Sequence, residues 1–147
     1  MLDSCYHIDI SPDFLDFEFV SVGPKGAITK VVRFLEINVK DVYNLGFGDK
    51  ETGTGFINDL VVTNNGDSQK VLTTVTQALY YFTNHYPNAT IIATGSTAAR
   101  TRLYRMGITT NLAAVEQDFT VLGLTASGWE PFRKGVTYHA FGVRRKP

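Results

Sequence analysis

The sequence predicts an α+β domain: an antiparallel meander followed by β-α-β-α-β-β, with helices packed on a mixed sheet. Three observations carry this. Apolar residues alternate with period two through the first third, recur at helical spacing from residue 68 to 86, and then fall into short runs separated by Gly, Pro and Asn. A chain of 147 residues, 44% of them hydrophobic, can build one core, and no repeat or Pro/Ser-rich linker divides it. Residues 1–147 are therefore read as a single domain.

Leu15, Phe17 and Phe19 alternate with Asp16 and Glu18, which predicts a half-buried strand over 14–22. Gly23-Pro24-Lys25-Gly26 has the proline and glycine of a tight turn and folds this strand back onto 27–39, where Val31, Arg33, Leu35, Ile37 and Val39 alternate with the other set. Residues 42–48 put Tyr43, Leu45 and Phe47 on one face of a third strand. A polar loop follows, and Phe56 to Thr63, centred on Leu60-Val61-Val62, reads as a fourth strand stopped by Asn64-Asn65-Gly66. The apolar spacing from Val71 to Tyr86 predicts a long helix capped by Asp67 or Ser68 and ending at His85, before Pro87-Asn88. Ala89 to Thr94 is a short strand. Gly95-Ser96-Thr97 opens a second helix to about Met106, with Ala99, Leu103 and Met106 on its expected buried side. A third helical stretch covers about 110–117, and strands over 119–125 and 136–143 flank a loop that holds Trp129, Pro131 and Phe132.

Net charge is zero, with 14 basic against 14 acidic side chains, but the balance is uneven along the chain. Residues 1–94 hold 6 basic and 11 acidic residues (−5), and residues 95–147 hold 8 and 3 (+5), including Arg100, Arg102, Arg105, Arg133, Arg144 and Arg145. Such a skew points to an anionic partner. If both halves share one sheet, part of the split should cancel internally. The single cysteine, Cys5, cannot form an internal disulfide, and the isolated histidines His7, His85 and His139 make no metal-ligating pattern, so no metal is expected. No apolar run is long enough to span a bilayer and no basic-then-apolar leader opens the sequence, which predicts a protein of the cytoplasm without a membrane partner.

Two resemblances follow. The stretch from Leu60 to Val143 resembles the GNAT N-acetyltransferase superfamily in its order of strand, long helix, strand, shorter helix and two final strands. Thr97 to Tyr104, with Leu103-Tyr104 before Gly107-Ile108, looks like that family's fourth-helix pattern. This resemblance implies acetyl-CoA as cofactor, held at the helix start by Gly66 and Ser68, with Tyr104 as the acid and Glu36 or Asp59 as the base. The usual pyrophosphate loop is nonetheless absent, because Asn64-Asn65-Gly66-Asp67-Ser68-Gln69 has one glycine and an acidic residue where backbone N–H groups would meet phosphate. The second resemblance covers nearly the whole chain. Tyr43-Asn44-Leu45-Gly46-Phe47-Gly48-Asp49, Asn64-Asn65-Gly66-Asp67 and the run from Gly95 to Ile108 resemble a family of uncharacterised bacterial proteins, which implies no activity.

The most unusual local chemistry is Gly95-Ser96-Thr97 at the exit of an apolar strand, opening a helix with Arg100 and Arg102 instead of the acidic residues that favour a helix start. Small hydroxyl residues, unsatisfied N–H groups and arginine together make a slot for phosphate or carboxylate, giving Gly95, Ser96, Thr97, Arg100 and Arg102 as candidate anion ligands. The competing reading is that Ser96 or Thr97 only caps the helix while the arginines pair with the acidic first half. On function, three readings stand. One is a GNAT-like module binding an anionic small molecule or partner; another is an acyl-CoA-dependent N-acyltransferase with an altered cofactor loop. The third is a toxin-antitoxin or RNA-associated protein whose basic half meets RNA or an acidic protein.

Overall fold

A computed structural model describes residues 4–51, 54, 57–58, 65–95 and 97–147. Their elements run β1 (Asp9–Ile10), β2 (Asp16–Gly23), β3 (Gly26–Glu36), β4 (Val42–Lys50), β5 (Ile57–Asn58), α1 (Ser68–His85), β6 (Thr90–Ala93), α2 (Ala98–Thr110), α3 (Leu112–Asp118), β7 (Phe119–Thr125), β8 (Gly128–Pro131) and β9 (Ala140–Arg145). All the described strands join one mixed sheet in the order β1-β2-β3-β4-β6-β9-β7-β8, with β5 on β4. The β-hairpin from Asp16 to Glu36 closes at Gly23 and Gly26, and Gly26 has φ +92, a left-handed conformation that a residue without Cβ adopts cheaply. The expected strand over 56–63 falls mostly outside the described residues, as do Asp59 and Ser96; Ile57 and Asn58 pair with Lys50 and Asp49.

One pairing differs from all the others. β4 and β6 are parallel, from Val42 opposite Thr90 to Leu45 opposite Ala93, whereas the remaining pairs are antiparallel. A parallel pair requires a crossover, and α1 supplies it. The helix buries Val71, Leu72, Ala78, Leu79 and Phe82, as the apolar spacing predicts, and leaves Tyr81 exposed. Phe82 is the centre of this contact: its ring stacks on Phe34 of β3 at 3.9 Å and meets Tyr43 of β4 edge-on at 5.0 Å. The sheet face toward the helices carries Phe17, Phe19, Val32, Leu45, Phe47, Ile91 and Val143. On the other face, among the described residues, Val20, Val22, Leu35 and Trp129 stand exposed.

Three expectations are corrected. The expected loop after residue 125 contains a short strand, β8, that pairs with β7. Residues 136–139 are not strand: Tyr138 folds over Gly123, where any Cβ would collide with its ring, and donates a hydrogen bond to Glu130 at 2.7 Å. The buried side of α2 is also not Ala99, Leu103 and Met106. Ala99 and Met106 are exposed and Leu103 is half-buried, while Arg100, Tyr104 and Gly107 are buried. Periodicity placed the apolar residues inward, but the helix turns an arginine to the sheet, and Gly107 lets it approach Leu72 of α1 closely.

Two outcomes are expected. Truncating Phe82 to Ala removes a fully buried ring at the α1–sheet contact and should cost about 3–5 kcal/mol in urea unfolding. Burial, the hydrogen bond to Asp118 and that carboxylate's charge push the Tyr80 phenol up to about 12, against a partial opposing effect of Arg145. Because the folded state holds this proton more tightly than the unfolded chain, its contribution is complete below about pH 10 and is lost as pH rises toward 12. Ultraviolet titration of the wild type against Tyr80→Phe should isolate one phenol ionising near the upper value.

Candidate anion-binding site

Beyond Leu45 and Ala93 the parallel strands part. β6 leaves the sheet through Thr94 and Gly95 into α2, while β4 continues to Lys50. Both helices begin at this end of the sheet, α1 near Asn65–Asp67 and α2 at Thr97, so their positive ends gather outside the carboxyl ends of a parallel pair, the place where α/β sheets open a crevice.

The α2 start is knitted tightly. Thr97 Oγ1 accepts the Arg100 N–H at 3.1 Å as a true N-cap, and the Thr101 hydroxyl accepts the Gly95 N–H at 3.1 Å while donating to the Thr97 carbonyl at 3.2 Å. Two donors counted as unsatisfied from the sequence are thus already used. Gly95 sits against the backbone of Arg100 and Thr101, with no room for a Cβ.

The structure separates the arginines that the sequence grouped. Gly95, Thr97, Thr101, Arg102 and Arg105 line a cleft of about 460 Å³, closed on its other side by Thr137, Tyr138, His139 and Phe141. Arg100 points the opposite way, as a two-residue offset of about 200° on a helix requires. It lies under α2 with its guanidinium 5.9 Å from the Phe47 ring centre and is only 2% exposed. Among the described residues, Nε, Nη1 and Nη2 of Arg100 have no hydrogen-bond partner.

Among the described residues, the arginines of α2 make no ion pair with the acidic first half. Among the described residues, the Lys/Arg–carboxylate bridges are Lys30–Asp49, Arg33–Asp16, Lys50–Glu18 and Arg133–Glu130, each closed inside its own half of the chain. Among the described residues no Lys/Arg–carboxylate bridge crosses between the halves.

The resemblance-derived residues lie apart. Tyr104 faces the apolar seam with Leu45, Leu72, Leu79, Ile91 and Val143. Glu36 is at the β3–β4 turn, the opposite end of β4 from the α2 start, where its carboxylate accepts the Asp41 N–H at 3.0 Å. At the α1 start, Gly66 has φ +75 and Ser68 is exposed, while the Asp67 carboxylate accepts hydrogen bonds from Ser21 and Tyr6. Burial alone would raise the Asp67 carboxyl, but those two hydrogen bonds and the Lys30 charge hold it below its ordinary range. Sequence reasoning missed Lys30, buried beside Asp49, and His139 with Tyr138 in the cleft wall; a lysine inside an alternating strand was the available signal for the first. Among the described residues no cluster of His, Cys, Asp or Glu could hold a metal, and no helix is long and apolar enough to cross a membrane.

Thr97→Ala deletes the cap and should lower stability by about 1 kcal/mol, within the range for such caps. Gly95→Ala should cost more, because its methyl group meets backbone and only a shift of the α2 start can relieve it. Circular-dichroism melts of the two variants side by side check that order.

No curated protein and no solved structure matches this chain. A family model does match, over residues 3–146, and so spans every element of the sheet and the cleft. On that match the chain belongs to DUF6934, a family of unknown function.

Proposed function

We propose that this domain binds a small polyanion in the cleft beside the α2 start. The observation that carries the reading is the composition of the cleft: its charge-bearing nitrogen side chains, Arg102, Arg105 and His139, face a space of about 460 Å³ with no carboxylate among the described residues of its lining. Neither arginine has an ion pair among the described residues. That volume lies within the range of small-ligand pockets, and Tyr138 and Phe141 supply an apolar wall. Guanidinium groups three residues apart stand on one helix face, a spacing suited to adjacent phosphoryl groups. Gly95 and Thr97 shape the mouth, and Thr97 and Thr101 hold the helix start in place.

A second reading, acyl transfer from an acyl-CoA, is favoured by one observation: a parallel strand pair bridged by a long helix and followed by α2, α3 and the antiparallel strands β7, β8 and β9. Apart from the short α3 and β8, this is the element order behind the GNAT-like resemblance. In that reading Gly66 and Ser68 would approach the pyrophosphate, with Asp67 turned away toward Ser21 and Tyr6.

Pyrophosphate titrated by calorimetry into the wild type and into an Arg102→Ala/Arg105→Ala variant tests the first reading. Saturable binding that weakens at least about tenfold in the variant, and that falls steeply with added salt, is the expected result. Equal heats for both proteins would sink it. Acetyl-CoA in a thermal-shift series addresses the second, since a ligand of the folded state must raise Tm at concentrations above its Kd.

A further inference from the structure

We propose that the interior beside Arg100 is a separate ligand site, one that takes the carboxylate of a small organic acid. It is distinct from the cleft: Arg100 is not part of the cleft lining and projects from the other side of α2.

The argument begins with how this chain treats its other cations. Lys30 is as deeply buried, and its ammonium meets the Asp49 carboxylate. Arg33 is bridged to Asp16, and the Arg145 guanidinium donates to Thr83 Oγ1 at 2.7 Å. Arg100 alone among these is enclosed with its whole guanidinium unsatisfied. A buried charge without a partner is among the most costly arrangements a fold can hold, so its retention needs a compensating group.

The guanidinium lies beyond the carboxyl ends of the parallel strand pair. Phe47, beneath the guanidinium, follows the last residue pair that joins β4 to β6, where the two strands separate. The next residue of β4 on the same face is Asp49, paired across the strand to Lys30, and Ser21 of β2 holds Asp67 nearby in the same polar end of the core.

The guanidinium itself chooses the ligand. A single negative charge matches the one unsatisfied cation. A planar carboxylate fits the guanidinium fork with two parallel hydrogen bonds, which a lysine could not offer.

The test uses the full chain labelled with nitrogen-15 and follows the Arg100 Nε–H resonance during titration with acetate, benzoate and inorganic phosphate. A saturable shift with the carboxylates, larger than with phosphate, is expected. Arg100→Met should abolish the associated rise in Tm while retaining the pyrophosphate response of the cleft. Conversely, Arg102→Ala/Arg105→Ala should lose the pyrophosphate response and keep the carboxylate one, so either site can fail without the other. An Nε–H resonance unmoved by carboxylates, a stronger response to phosphate, or a carboxylate effect that survives in Arg100→Met overturns the proposal. If Arg100→Met does not fold, the wild-type titration decides alone.

Discussion

The parallel pairing of Val42–Leu45 with Thr90–Ala93 is the constraint on which the rest of the molecule depends. Without it the chain would be two antiparallel pieces, β1 to β4 and β6 with β7 to β9. Joining them side by side in the same direction requires the chain to return across the sheet, and an 18-residue helix makes that return. The crossover explains why α1 carries the largest buried face and why Phe82 lies between Phe34 and Tyr43. It also puts the beginnings of α1 and α2 at one end of the sheet. The candidate site follows from that geometry more than from any single motif.

The core facing the helices is divided lengthwise. Toward the β3–β4 turn it is aromatic, with Phe34, Tyr43, Phe82 and Tyr86 in mutual contact. Toward the carboxyl ends of β4 and β6 it becomes polar, with Ser21, Lys30, Asn65 and Arg100 all buried. Asn65 stitches this end together by donating to the Gly26 carbonyl and accepting the Lys25 N–H. A fold governed by apolar burial alone would not place two cations there. One of them is paired and the other is not, and this asymmetry marks the end of the sheet where chemistry is to be sought. Among the described residues the ion pairs close within each half of the chain, and the arginines of α2 face either the cleft or the interior without a carboxylate partner.

Much of the fold was legible in the sequence because most of its elements obey a simple period. Phe17 and Phe19 alternate with acidic residues, Val71 to Phe82 repeat at helical spacing, and the structure follows both. The strand at 119–125 reads correctly for the same reason. Where the period fails, so does the reading. In α2 the apolar residues Ala99 and Met106 face outward because the helix is seated by Arg100, Tyr104 and Gly107, and no hydropathy pattern predicts a buried arginine. β8 was missed because four residues with a Pro and a Gly read locally as loop; their pairing with β7 is a long-range outcome.

The sequence by itself determined the fold class, the long crossover helix, the turn at Gly23–Gly26 and the unusual meeting of a strand-to-helix turn with arginines, since each is encoded by neighbouring residues. Only the tertiary structure decided which way those arginines face, because direction depends on how a whole helix rotates against a sheet built from distant segments. That rotation sends Arg102 to the cleft and Arg100 into the core. The same long-range assembly set which of the described charges pair, each bridge closing within its own half of the chain.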